Sequence, residues 1–204
     1  MESTETREPW NKGMLVGQKP ALKPKDIWAL RIHLQNEHLV RDLAMFNLAI
    51  DSKLRGCDLV NLRVRDIMHG NKVLARATIV QRKTQRPVQF ELTEPTRTAV
   101  AAWIEQAGLR PEAFLFSSRL AKSPHVSTRQ YARIVHQWVA AIGLDSTVYG
   151  THSMRRTKAT LIYKRTKNLR AVQLLLGHSK LESTVQYLGI DVDDALEISE
   201  QTEI

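Results

Sequence analysis

Residues 151–187 read THSMRRTKATLIYKRTKNLRAVQLLLGHSKLESTVQY, and the interpretation of the whole chain depends on this stretch. His152 and Arg155 lie three residues apart on a predicted helix, so their side chains face the same way. The planar guanidinium of Arg155 matches phosphate oxygens, and a helix capped by Thr151 would point backbone N–H groups at the same region. Taken alone, however, such a segment is more often a solvated basic helix with a structural histidine.

Four further side chains could act on a phosphate. His178 follows a glycine that is expected to end a helix, and Tyr187 comes nine residues later. Arg55 lies in the segment KLRGCDL, and Lys83 lies in the polar segment QRKTQRP. Each has an ordinary explanation by itself. His178 could be a histidine favoured by the helix dipole, and Tyr187 a half-buried aromatic anchor. Arg55 could pair with the nearby Asp58, and Lys83 could be a solvated turn lysine. Only their combination is informative.

The chain as a whole is predicted to be mainly α-helical, with one small antiparallel sheet inserted early. Residues 73–79 and 88–92 alternate apolar and polar side chains, which is the period of a strand, and residues 63–67 are a candidate third strand. The segment 81–87 would join the first two strands as a hairpin. Apolar residues at the helical period of about 3.6 predict helices over 27–34, 40–51, 57–62, 93–108, 127–143, 151–164, 168–177 and 183–188.

Capping residues predict where several of these helices begin and end. Ser127 and Asn168 precede apolar helical patterns and can accept hydrogen bonds from the first turn. Gly177 follows a run of three leucines and can adopt the left-handed conformation that ends a helix.

The charge of the chain is unevenly distributed. The 204 residues carry a net charge of +9, but residues 188–204 contain six acids and no lysine or arginine. The preceding residues therefore hold 30 basic and 15 acidic side chains, a net charge of +15. A body this basic predicts a polyanionic partner, although a ribosomal or membrane-surface protein would also fit the charge alone.

Composition excludes several classes of protein. Apolar residues make up 43% and charged residues 25% of the chain, which is ordinary globular composition, and its length indicates one domain. No run approaches about 18 consecutive apolar residues, and the first thirty residues lack the apolar core of a secretory signal. Cys57 is the only cysteine, so an internal disulfide and a cysteine-based zinc site are excluded, which fits a reducing cytosol.

The chain contains, in this order, KLRGCDL, the hairpin lysine, HSMRRT, LGHS and Tyr187. This arrangement strongly resembles the catalytic domain of the tyrosine recombinases, the phage-integrase family. The family pattern is Arg, Lys, His-x-x-Arg, His or Trp, and Tyr, and all six positions are filled. The resemblance covers residues 23–190 and implies the DNA breaking-rejoining fold. Residues 1–22 would then form a flexible arm, and residues 191–204 an acidic helical tail.

The sequence departs from the family pattern in three ways. Asp58 stands where glutamate is commoner, and Arg156 stands where a second histidine is frequent. Family members also usually carry a helical core-binding domain before the catalytic domain, whereas only 22 residues precede it here. The small invertases of fimbrial phase switches are similar in this respect, and a truncated piece or a domain of a larger protein would look the same.

The resemblance implies the transfer of a DNA phosphodiester to a tyrosine and back. Tyr187 would attack the phosphorus to give a 3′-phosphotyrosine, with the phosphodiester energy conserved in the new bond, so no metal, nucleotide or other cofactor is expected. The remaining roles would be divided among five side chains: His152 as base, Arg55 and Arg155 on the two non-bridging oxygens, His178 as a further donor to a non-bridging oxygen, and Lys83 as general acid, with Arg82 as an outside alternative for the acid.

The partners expected from the resemblance are double-stranded DNA and further copies of the chain, as a dimer or tetramer synapse, with accessory DNA-bending proteins as another candidate and no membrane. A bacterial cytoplasm, in association with the nucleoid, is the expected location. The tail would dock on its own subunit and pass to a neighbour on DNA, or only close its own core. Six residues are candidate phosphate contacts, unless they form only a solvated face: Arg156, Lys158, Lys164, Arg165, Lys167 and Arg170.

Two other functions remain open at this point. One is a DNA-binding regulator that keeps the recombinase fold without recombination. The other is a type IB topoisomerase, which shares the chemistry but releases the strand without exchange.

Overall fold

The structure is a computed structural model that describes residues 18–118, 123–190, 196, 199 and 200 of the chain. The described residues are mainly helical with short antiparallel strand pairs, which confirms the predicted fold class. The helices are α1 Pro24–Asn36, α2 Val40–Ser52, α3 Gly56–Leu59, α4 Val64–Ile67, α5 Glu94–Gln106, α6 Thr128–Ala141, α7 Thr151–Thr166, α8 Leu169–Leu176 and α9 Leu181–Leu188. The strands are β1 Met68–His69, β2 Lys72–Val73, β3 Arg76–Val80 and β4 Pro87–Glu91.

Helix α2 lies at the centre of the main core. It packs against α1, α5, α7 and β4, and every residue from Ala44 to Ser52 is buried. A helix enclosed on all sides has no polar face, which explains the nearly continuous apolar run AMFNLAI. The ring of Phe46 meets Trp138 of α6 edge-on at 5.7 Å between centroids.

A second, smaller apolar cluster fastens α8 and α9 to α7. Ala159 and Tyr163 of α7 pack with Val172 and Leu176 of α8, and the partly buried Tyr187 of α9 lies against them. The N-terminal half of α7 belongs instead to the main core through Met154. Helix α7 therefore joins the two clusters, and the predicted catalytic side chains lie along the junction.

The sheet differs from the prediction in two places. The predicted strand 63–67 is wrong, because Val64 and Ile67 are both buried three residues apart, which one turn of helix allows. The predicted strand 73–79 is interrupted: β2 pairs with β1, and β3 pairs with β4 in the register Arg76↔Glu91 to Val80↔Pro87. The hairpin over residues 81–86 is where the sequence predicts it, closed by a 2.9 Å hydrogen bond from the Gln81 N–H to the Arg86 carbonyl.

Most helix ends agree with the predicted caps. The hydroxyl of Ser127 accepts from the Gln130 N–H, the carboxamide oxygen of Asn168 accepts from the Ala171 N–H, and Gly177 ends α8 with a φ of +64°. Helix α7 starts one residue earlier than predicted. Its cap is Gly150, whose N–H donates to the Ser153 hydroxyl at 3.2 Å, and Thr151 is already helical.

The predicted terminal segments fall mostly outside the described residues. Residues 1–17 are not described, and of the acidic tail only Leu196, Ser199 and Glu200 are, all with helical backbone. The Leu196 side chain is 54% exposed. The segment boundaries and the docking of the tail therefore stay predictions. In the part of the chain that the structure describes, every helix is too short or too polar to cross a membrane.

Candidate active site

Three segments of the chain bring predicted catalytic residues around Tyr187 of α9. His178 lies between α8 and α9, and its ring meets the Tyr187 ring edge-on at 5.4 Å between centroids. The guanidinium carbon of Arg155 lies 5.3 Å from the centre of the same ring. The Tyr187 hydroxyl is 3.5 Å from the main-chain carbonyl of His152, at the N-terminal turn of α7. Arg55, before α3, is close enough for its charge to lower the pKa of Tyr187.

Two carbonyls that converge from different elements hold Arg155. Its Nε donates to the carbonyl of Lys53 at 2.8 Å, and its Nη2 donates to the carbonyl of Leu176 at 2.7 Å. Lys53 ends α2 with a φ of +54°, and Leu176 ends α8. Arg155 is only 4% exposed, so its cation is fixed before any substrate arrives. Its Nη2 also lies 3.5 Å from Nε2 of His178.

Gln81 connects the two arginines, and sequence reasoning missed it. Its carboxamide oxygen accepts from Nη1 of Arg55 at 2.6 Å, and its Nε2 donates to the Leu176 carbonyl at 3.4 Å, the same carbonyl that Arg155 uses. Gln81 is 1% exposed. A Cβ atom on Gly177 would lie 3.1 Å from the Gln81 amide nitrogen, so a larger residue would displace the Gln81 carboxamide as well as having to adopt a positive φ.

Lys83 is exposed at the tip of the hairpin, whose base is anchored. The Arg82 N–H donates to the Asp58 carboxylate at 2.9 Å, and the Arg82 guanidinium donates to Asn61. Asp58 thus holds the hairpin instead of forming the ion pair with Arg55 considered above. Lys83 lies near enough to His152 for its charge to lower the pKa of that imidazole.

Both histidines are neutral at neutral pH. Burial, followed by the charges of Arg155 and other nearby cations, lowers the pKa of His152 below 6.5. Burial, followed by Arg155 and Arg55, lowers the pKa of His178 to about 4. A neutral imidazole can accept a proton, as a base must. The ring nitrogen Nδ1 of His178 is oriented by the buried hydroxyl of Thr184, at 3.1 Å.

The phenol of Tyr187 is protonated at rest. Burial raises its pKa above 10, and the nearby charges of Arg155, Arg156 and Arg55 oppose that rise. The side chain thus needs a base to attack, in surroundings that favour the anion once it forms.

A network of charged side chains lies beneath the site, and it includes Lys158, one of the predicted DNA contacts. Lys158 forms ion pairs at 2.7 Å with both Asp51 and Glu91, and Lys53 pairs with Glu91 at 2.8 Å. The second oxygen of Asp51 accepts from the hydroxyl of Thr96 at 2.6 Å. Lys158 is therefore a partly buried cation engaged by two carboxylates, which argues against the DNA contact predicted for it.

Arg156 is also internal, because only 8% of it is exposed and its Nη1 donates to the Lys19 carbonyl. Both observations argue against the phosphate contact predicted for it. Helix α7 is about 24 Å long, and the last four candidates lie at or beyond the end opposite His152. Lys167 approaches the Tyr163 ring, and Arg170 donates to the Gln173 side chain. DNA binding stays a prediction for Lys164, Arg165, Lys167 and Arg170. Among the described residues, no three His, Cys, Asp or Glu side chains are placed to hold a metal ion.

The fold and the side chains gathered on Tyr187 define a catalytic domain of the tyrosine-recombinase class. The chain matches the phage integrase family over residues 21–193, and it belongs to that family.

Relatives of known name agree with this assignment. The chain is 29% identical over 175 residues to a probable integrase/recombinase, YoeC, of Bacillus subtilis, covering 86% of this chain and 91% of that protein. It is 33% identical over 150 residues to a tyrosine recombinase of Pseudothermotoga lettingae and 30% identical over 188 residues to the recombinase XerC of Salmonella typhi. These matches cover 74% and 88% of this chain but only 50% and 60% of those two proteins.

Solved structures show the same fold. The XerA recombinase superposes with a TM-score of 0.73 at 17% identity, over 91% of this chain and 65% of that one. The XerH site-specific recombinase bound to its difH substrate superposes with a TM-score of 0.67 at 19% identity, over 92% of this chain and 56% of that one.

Proposed function

We propose that the chain is a site-specific DNA recombinase that cuts and rejoins DNA through a 3′-phosphotyrosine. The observation that carries the proposal is the convergence of Arg55, Arg155 and His178 on Tyr187 from separate elements. Three preorganised donors beside a partly buried phenol suit a phosphodiester whose charge increases during attack. Family membership supports the same reaction.

In the cleavage step, the Tyr187 oxygen attacks phosphorus and the bond from phosphorus to the 5′ oxygen breaks. His152 takes the phenol proton, and Lys83 supplies a proton to the leaving 5′ oxygen. The two arginines hold the non-bridging oxygens, each contributing about 3–4 kcal/mol to transition-state stabilisation by analogy with other preorganised donors. Rejoining is the reverse, with the 5′-hydroxyl of a partner strand as nucleophile and Tyr187 as leaving group.

The proposal extends to partners and location. XerH is described as bound to difH and lambda integrase as a dimer on a core site, which supports double-stranded DNA and self-association here. Location at the bacterial nucleoid would follow from DNA binding. Accessory DNA-bending proteins would assist the synapse.

The first test uses nicked suicide duplexes, in which the released 5′ fragment diffuses away and traps the adduct. The full chain is incubated with duplexes recovered from its own bound-DNA selection, in EDTA and without nucleotide, and the products are resolved by denaturing electrophoresis. We expect a covalent adduct, because the phosphotyrosine itself stores the bond energy.

Other outcomes of this test separate the competing functions. Tight binding without an adduct would indicate a regulator. On a supercoiled plasmid that carries the same sequence, relaxation without strand exchange would indicate a topoisomerase. A strict requirement for Mg²⁺ in the covalent step would contradict the proposed chemistry.

DNA binding should weaken steeply with salt. The logarithm of the binding constant should fall against the logarithm of salt concentration with a slope of about −0.9 per neutralised phosphate. Replacing the exposed Lys164 with glutamine should reduce the magnitude of the slope by about one unit if that lysine contacts phosphate. Lys158→Gln is the matched control on α7, and it should leave the slope unchanged because its cation is paired with Asp51 and Glu91. A flat salt dependence in the unmodified chain would contradict the proposed DNA contacts.

A further inference from the structure

Two consecutive arginines of α7 lie against the ring of Tyr187. The guanidinium carbon of Arg155 is 5.3 Å from the ring centroid and that of Arg156 is 4.8 Å from it. Arg155 is already occupied by two carbonyls and by the predicted phosphate role. The second arginine has no assigned function in the reaction, and its position is where the family pattern frequently has histidine.

Arg156 is held in place by a segment that we call the N-terminal strap, residues 18–22. Its Nη1 donates to the Lys19 carbonyl at 2.7 Å, and the Leu22 N–H donates to the Thr157 hydroxyl at 2.9 Å. Gln18 donates to the carbonyl of Gln186, the residue before the nucleophile. The strap thus crosses from α7 to α9 and fixes Arg156 at the ring.

The environment of Arg156 directs its charge towards the ring. The residue is 8% exposed, and among the described residues its Nε has no hydrogen-bond partner. A desolvated guanidinium is attracted to the electrons of an aromatic ring, and the attraction is stronger when the ring carries a negative charge.

We propose that Arg156 is a positioning residue for the nucleophile: its guanidinium, fixed by the N-terminal strap, orients the Tyr187 ring and stabilises the negative charge that develops on the phenol oxygen during attack. The inference rests on the proposed function, because that function makes Tyr187 the nucleophile. It also explains why burial of Arg156 is tolerated, since the cation faces the group that becomes anionic.

Other charged and titratable groups act on the same phenol. On α7 it is Arg155, before α9 it is His178, and before α3 it is Arg55, while His152 places its main-chain carbonyl 3.5 Å from the hydroxyl. Both imidazoles are neutral near pH 7, so the arginines supply the positive field. Burial raises the pKa of Tyr187, and Arg155, Arg156 and Arg55 lower it. Removing Arg156 should therefore raise that pKa further.

The test measures the phenol directly, without DNA. A fluorinated tyrosine incorporated at position 187 has a lower phenol pKa, so its ¹⁹F resonance can be titrated before alkali unfolds the chain. We expect Arg156→Gln to raise this pKa by about one unit or more, the usual effect of losing an opposite charge at 4–6 Å. Arg156→Lys should give a smaller rise. Arg165→Gln, an exposed arginine on the same helix, should give none.

Single-turnover cleavage supplies the second measurement. At neutral pH we expect Arg156→Gln to cleave about tenfold more slowly or worse, with the deficit shrinking as pH rises, because one pKa unit is a tenfold change in phenolate. A purely structural role would lower the rate equally at every pH. Arg156→Met, which keeps the apolar stem, replaces the glutamine variant if the latter does not fold.

The outcomes separate this inference from the proposed function. An unshifted titration in a folded Arg156→Gln or Arg156→Met variant overturns the positioning role, even if the unmodified chain forms the adduct. A shifted titration in a chain that never forms the adduct overturns the proposed function and leaves the contact of Arg156 with the phenol established.

Discussion

Replacement of Tyr187 with phenylalanine is expected to abolish the covalent protein–DNA adduct while DNA binding stays almost unchanged. Phenylalanine keeps the ring that contacts His178, Arg155 and Arg156 and removes only the hydroxyl. That hydroxyl interacts with the Arg156 side chain and lies 3.5 Å from the His152 carbonyl, and because it is accessible to water its loss should cost little stability. Without the nucleophilic oxygen, the covalent step has no route. Suicide-duplex trapping and gel-shift titration on the same preparation measure the two properties.

The other tyrosines provide the control for this prediction. Tyr131 and Tyr163 are 2% and 8% exposed, and burial strongly raises the pKa of Tyr131. Tyr149 packs partly buried against the main core. Tyr149→Phe should form the adduct at the normal rate. An adduct that survives Tyr187→Phe and maps to one of these three residues would show that the nucleophile is assigned wrongly.

The elements that sequence reasoning predicted correctly are those specified by local interactions. The cap residues Ser127 and Asn168 each bond to an N–H three residues away, and Gly177 ends α8 through its own backbone conformation. The strand predicted at 63–67 is wrong because local interactions do not determine the structure of that segment. A segment so short contains too few apolar positions to distinguish alternation from one helical turn, and its backbone bonds to residues 111 and 113 decide the outcome.

In the candidate site, too, local sequence patterns were predictive and contacts with distant residues were not. Motif spacing identified the residues around Tyr187, but the contacts that hold them come from distant parts of the chain. Gln81 looked like a solvated turn residue and is buried against Gly177, 96 residues away. Lys158 and Arg156 looked like surface cations and instead meet Asp51 and the Lys19 carbonyl, 107 and 137 residues away. The sequence pattern of the helix carries no signal of these partners.

Only some of the basic side chains near Tyr187 keep a positive charge that is not balanced by an acid. Lys53 and Lys158 are neutralised by the acids Asp51 and Glu91 beneath α7, so they add little field at Tyr187. Arg55 and Arg155 are fixed by neutral oxygens of Gln81, Lys53 and Leu176. Carbonyl and carboxamide partners orient a guanidinium without cancelling its charge, which leaves that charge available to the phosphate.

The second large effect is expected at Lys83. Replacement with alanine should slow cleavage of an ordinary phosphodiester by about 10²–10⁴-fold, the usual contribution of a general acid. The base of the hairpin is fixed by Gln81 and by the Arg82 N–H on Asp58, so only its exposed tip has to adjust when DNA docks. Among the described residues the Lys83 side chain forms no hydrogen bond or ion pair, so thermal unfolding should be unchanged.

A 5′-bridging phosphorothiolate distinguishes the general-acid role from a binding role, because a thiolate leaves without protonation. Cleavage of this substrate by Lys83→Ala should recover to near the unmodified rate. Arg82→Ala is the matched control on the same hairpin. It loses the contact with Asn61, and any defect it has should be equal on both substrates. Only the proton donor becomes dispensable when the leaving group needs no proton. Equal defects of Lys83→Ala on the two substrates would therefore remove the acid role from that lysine, and selective rescue of Arg82→Ala by the phosphorothiolate would assign the role to Arg82.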